Sequence, residues 1–129
     1  MESRDEVLRS ASPFGPIDAV LVEMNSGGTT SFGYEVHVVE RGKQAPRRGE
    51  AAFLYAASRS DNAYGANLRW LGPTDLAVEY LGAQIAKLSK PEVEVGGSIV
   101  RVVFRPGIND PRAPAGGMLY NLERAHGTR

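Results

Sequence analysis

The chain has no cysteine, which removes disulfides, thiolate zinc sites and thiol nucleophiles together. Because Cys-free proteins occur inside and outside cells, this leaves the compartment open. It also has no net charge: fifteen Lys and Arg balance fifteen Asp and Glu. No global field draws it to phosphate backbones or anionic lipid, which argues against nucleic acid as a partner. Only two histidines are present, His37 and His126, which argues strongly against catalytic triads and zinc sites that use several histidines. Nowhere does the chain reach the ~18 consecutive apolar residues of a membrane-spanning helix. Met1 to Arg9 mixes charges and lacks the apolar core of a signal peptide. As written the protein is expected to be soluble and cytoplasmic, or exported if a signal was removed.

What is present suits one small domain. At 129 residues and 42% hydrophobic content, a single core suffices without a metal or other cofactor. We expect a flexible segment over 1–11, a β domain over 12–122 and a flexible tail over 123–129. Ile17 to Met24 is nearly continuous in apolar residues, as in a strand covered on both faces. Tyr34 to Glu40 alternates, sending Tyr34, Val36 and Val38 inward and Glu35 and His37 to the exposed face. The glycine- and hydroxyl-rich stretch 25–33 joins them as a long hairpin loop. Ala51 to Ala57 follows as a further strand.

Two hairpins have readable registers. Leu68 and Trp70 must share a face with Leu76, Val78 and Tyr80, which sets Trp70 opposite Leu76, Leu68 opposite Val78 and Asn67 opposite Glu79. The turn then closes Leu71 on Asp75 around Gly72-Pro73-Thr74. In the second hairpin, Gly96-Gly97 meets the positive-φ demand of a type I′ turn and sets Val95 opposite Ser98 and Glu92 opposite Arg101. Gly82 to Lys90 fits a helical turn or a bent strand equally. Beyond Arg105, Pro and Gly stop regular structure, and Met118 to Leu122 are expected to fold back over the sheet. The expected fold is all-β, with about seven mostly antiparallel strands in a sandwich or strongly twisted sheet.

The segments Ser12-Pro13-Phe14-Gly15-Pro16-Ile17 to Leu21 and Gly33-Tyr34 to Val39 resemble a blade of Tol-type β-propellers, with a weaker echo over Leu68 to Glu79. The resemblance implies strand-turn-strand units reused in a small sheet. Over 12–122 the chain also resembles a widespread, uncharacterised family of small bacterial β proteins. Residues 27–34, 59–70, 76–81 and 116–122 carry that resemblance, which brings no reaction with it.

Chemistry concentrates in loops. Ser26, Thr29, Thr30 and Ser31 offer hydroxyls and backbone N–H groups to an anion or sugar, or simply cap their own turn. Arg59, Asp61, Asn62 and Tyr64, continued by Asn67 and Arg69, form the densest polar loop. It suits a polar ligand; the alternative is an Asx-type turn with an ion pair. Glu23 with Glu79 is the candidate carboxylate pair. Arg41 to Arg48 has four cations and no aromatic for base stacking, as in a solvated hairpin loop. The leading expectation is a non-catalytic module that binds a protein or small polar ligand through loops 26–33 and 59–67. A small carboxylate-dependent hydrolase or sugar-active enzyme is the runner-up.

Overall fold

The computed structural model describes residues 3–25, 32–61 and 63–110. It is all-β, and among the described residues there is no helix. The strands are β1 (Ser3–Ala11), β2 (Ile17–Asn25), β3 (Gly33–Glu40), β4 (Ala52–Tyr55), β5 (Ser58–Ser60), β6 (Ala63–Tyr64), β7 (Asn67–Gly72), β8 (Asp75–Tyr80), β9 (Ile85–Leu88), β10 (Glu92–Val95) and β11 (Ser98–Pro106). They form a five-stranded sheet in the order β1-β2-β3-β4-β9, a four-stranded sheet in the order β10-β11-β8-β7, and the small hairpin β5-β6.

The two large sheets share one core. Ile17, Leu21, Tyr34, Val36 and Leu54 from the first sheet join Leu68, Leu76, Val78, Val100 and Val102 from the second in a single buried cluster. The continuous apolar run of β2 has the reason its sequence suggested. Its alternate residues Val20 and Val22 pack on the opposite face with Val39, Met24 and Ala45.

That outer face departs from expectation. Glu35 and His37 are buried rather than exposed, at 8% and 2%. Arg4 of β1 reaches Glu35 Oε1 at 2.8 Å and the Pro46 carbonyl at 2.6 Å, while His37 Nε2 lies 2.9 Å from the same Glu35 oxygen. The segment expected to precede the domain is therefore its edge strand. β1 pairs along the length of β2, with one bulge between Glu6 and Leu8. Arg9 continues the lattice, donating to Glu6, Asp18 and the Lys43 carbonyl. The β3–β4 connection is thus tied down over this face, although most of its side chains are exposed.

Both readable registers are present: Trp70↔Leu76, Leu68↔Val78 and Asn67↔Glu79 in one hairpin, Val95↔Ser98 and Glu92↔Arg101 in the other. Gly96 and Gly97 have φ of 56° and 80°, as the type I′ turn requires. The β7–β8 turn is tighter than expected. Gly72 pairs with Asp75 around Pro73-Thr74, and the extra residue is absorbed as a bulge between Trp70 and Gly72 that leaves Leu71 exposed. The ambiguous 82–90 stretch contains β9, paired with β4. One pairing is parallel, β11 with β8. In the Ser12 to Pro16 turn, the Ser12 hydroxyl accepts the Phe14 N–H at 3.1 Å, and the Arg41 guanidinium donates to the Ser12 and Gly15 carbonyls. The expected C-terminal wrap over Met118 to Leu122 lies outside the described residues.

Candidate functional site

After β4 the chain turns away from the five-stranded sheet. Ala56 takes φ of 57°, a left-handed conformation uncommon for a residue with a Cβ, and its N–H bonds to the Phe32 carbonyl. The short β5-β6 hairpin follows, held by backbone bonds from Ser58 to Gly82, Leu81 to Ser58 and Gly65 to Ala57. The segment after β11 closes over it: the Asp110 N–H donates to the Arg59 carbonyl at 2.8 Å.

This geometry buries Arg59. The residue is 3% exposed, and its Nε and Nη1 atoms have no hydrogen-bond partner. Burial pulls its pKa down, and the charge of Asp110, with a contribution from Tyr34, works against that. Asp110 is itself fixed, accepting from Asn67 Nδ2 at 3.1 Å. The Tyr64 ring stands edge-on to Phe32, with centroids 5.2 Å apart. Three of the residues singled out from the sequence, Arg59, Tyr64 and Asn67, are thereby gathered at one end of the sandwich.

The core holds a second polar pair. Tyr34 is wholly buried, and its hydroxyl donates to Glu23 Oε2 at 2.8 Å. Burial pushes the Glu23 carboxyl above the usual glutamate range; the Tyr34 bond opposes the shift, and Asp5, opposite Glu23 on β1, adds to it. Burial also drives the Tyr34 phenol far up, reinforced by the neighbouring Glu23 charge. Glu23 is the one charged side chain pointing into the core from β2. That break in an apolar run was its sequence signal. Asp110, in the Pro- and Gly-rich segment, had none.

Other candidates fall elsewhere. Arg69 sits on the outer face of the second sheet, with Nε 3.2 Å from both oxygens of buried Glu79, and Arg105 approaches the same carboxylate at 3.5 Å. Glu79 therefore does not face Glu23, which points into the core from the other sheet. Asn67 and Arg69 also line a shallow groove of about 350 Å³ along the β1–β7 seam, facing Ser10 and Pro13. Asp61 is exposed. Ser26, Thr29, Thr30, Ser31 and Asn62 lie outside the described residues. Among the described residues no group of three or more His, Asp or Glu side chains is arranged to hold a metal ion. No family model matches the sequence, and no curated protein or solved structure matches it.

Proposed function

We propose that the protein is a non-catalytic binding module for a small polar ligand, which offers hydrogen-bond acceptors to Arg59 at the end of the sandwich formed by Tyr64, Asn67 and Asp110. The observation that carries this reading is the Arg59 guanidinium, buried with two nitrogens unsatisfied. A buried cation with open donors is costly to a fold that gains nothing from it, and an apolar residue of similar length is usually better tolerated. Such local cost is characteristic of sites kept for binding.

The experiment is a thermal-shift screen of small sugars, amides and carboxylates against the parent protein and Arg59→Met. Compounds that stabilise the parent and lose their effect in the variant support the reading. A screen in which every stabiliser acts equally on both proteins overturns it. Hydrolysis or sugar chemistry that depends on a carboxylate of this chain, the second reading, draws on Glu23, whose carboxyl burial pushes up, beside Asp5. It requires hydrolytic turnover that Glu23→Gln abolishes.

A further inference from the structure

β7 is the last strand of the four-stranded sheet, and no strand of the described residues pairs with its far side. The Leu68 N–H bonds at 3.0 Å to the side-chain oxygen of its own neighbour Asn67, so it points away from β8. By the two-residue period of a strand, the Trp70 N–H and the carbonyls of Leu68 and Trp70 point the same way. This edge borders a cavity. It forms one side of the groove of about 350 Å³, whose other side is Ser10, Ala11 and Pro13. That volume lies at the small end of the range for binding sites and holds roughly two or three residues of extended chain.

The pleat and the charge of the edge define what fits. Leu68 and Trp70 face the core side of the sheet, while Arg69 lies on the outer face with Glu79. An added strand obeys the same alternation: its residues opposite Leu68 and Trp70 face the groove, and the residue between them stands beside Arg69. Charge decides that middle position. Arg69 and Arg105, each about half-exposed, share the one buried carboxylate of Glu79, which leaves two cations on one anion at this edge. Asp110 sits at the Asn67 end of the groove, which keeps the acidic position of an incoming segment at Arg69.

We propose that this groove binds a partner protein by strand addition, taking from it a short extended segment of the pattern apolar, acidic, apolar that runs antiparallel to β7 with its acidic side chain beside Arg69. Main-chain bonds to Leu68 and Trp70 supply affinity, and Arg69 with the groove supplies selectivity. The surface is separate from the Arg59 site, and either reading stands without the other. A second copy of this chain is the less apt occupant. β10, the opposite edge of the same sheet, carries Val93-Glu94-Val95, but both valines already pack against their own core.

The test titrates the intact protein with acetyl-Thr-Val-Glu-Val-Thr-amide and follows the fluorescence of Trp70, the only tryptophan, together with hydrogen exchange at its backbone amide. Saturation at about millimolar peptide is expected, with exchange at the Trp70 N–H slowed. Changes in the peptide leave the protein's fold untouched. Replacing its Glu by Lys should abolish binding, and so should N-methylating both valines, which removes the donors that face the β7 carbonyls. Arg69→Gln in the protein should weaken binding about fivefold, and added salt should weaken the parent toward the same value. Lys87→Gln, on the far edge of the other sheet, should bind like the parent.

Equal binding of the Glu and Lys peptides, or undiminished binding of the N-methylated one, overturns the proposal, as does a Trp70 that ignores every peptide up to about 10 mM. A Trp70 N–H already protected in the free protein also overturns it: protection lost on dilution assigns the edge to a second copy, and protection that persists assigns it to another part of this chain. A neutral disaccharide that perturbs Trp70 where the peptides do not makes the groove a sugar site instead.

Discussion

Trp70 Nε1 donates to the Ser10 carbonyl at 2.9 Å, so the single tryptophan fastens the edge of one sheet to the edge of the other. Its ring is half-buried and packs against the main core. Trp70→Phe, which keeps a ring and drops the donor, should cost about 0.5–1.5 kcal/mol. Trp70→Ala should cost roughly 3 kcal/mol, the low end for truncating a large aromatic, because part of the ring already meets water. Urea denaturation of the two variants separates the bond from the packing.

Arg59→Met should stabilise the unliganded protein by about 1–3 kcal/mol, since it removes the desolvation cost of an unsatisfied buried cation and keeps the volume. Most core substitutions do the opposite. A denaturant midpoint that rises in this variant marks Arg59 as a residue held for binding; a midpoint that falls marks it as part of the fold's own framework.

The carboxylates set two limbs of the pH profile. At Asp18, burial works to raise the pKa, but the Gly42 N–H, Arg9 and Arg41 outweigh it and hold the group below its ordinary 3.8. Hydrogen bonding from Arg9 lowers Glu6 in the same way. The stabilisation from these two is complete above their unfolded pKa values and is lost as pH falls through the folded ones. Glu23 has the opposite sign. Its folded pKa lies above 4.5, so its contribution is most favourable below that value and declines as pH rises through the interval up to the folded pKa. Denaturant midpoints measured across the acid range should show Asp18→Asn flattening the acid limb and Glu23→Gln flattening the decline above it.

Glu92 and Arg101 are direct cross-strand partners, both exposed, but Arg101 also faces Asp75 on its other side through the parallel pairing. With a second carboxylate as its register neighbour, its coupling to Glu92 should fall toward the low end of the usual ~0.2–1 kcal/mol for such pairs. A double-mutant cycle should find that coupling rising when Asp75 is replaced by Asn.

The hairpins were legible because their information is local. Leu68 and Trp70 could share a face with Leu76 and Val78 in only one register, and Gly96-Gly97 named its own turn. β1 was not legible. Its bulge falls between Glu6 and Leu8, which resets the alternation in mid-strand, and its anchors are the charged residues Arg4 and Arg9. For the same reason His37 read as an exposed residue: the cation that covers its face comes from a strand with no apolar period. β9 is an edge strand with largely exposed side chains, so burial imposed no pattern on it. Polar density in a turn brought out Arg59, Tyr64 and Asn67. Arg69 shares that density, but Glu79 on the neighbouring strand claims it.

The excursion of β9 has a consequence for how the molecule comes apart. Its chain neighbours β8 and β10 both belong to the four-stranded sheet, whereas β9 pairs with β4 in the other, so the backbone crosses between the layers and returns. Only after that round trip can β11 lie parallel beside β8. The two layers are stitched by continuous chain as well as by side chains. Neither can peel off as an independent folding unit, and the parallel seam, with no short hairpin to nucleate it, is the part of the structure that must wait for both layers to assemble.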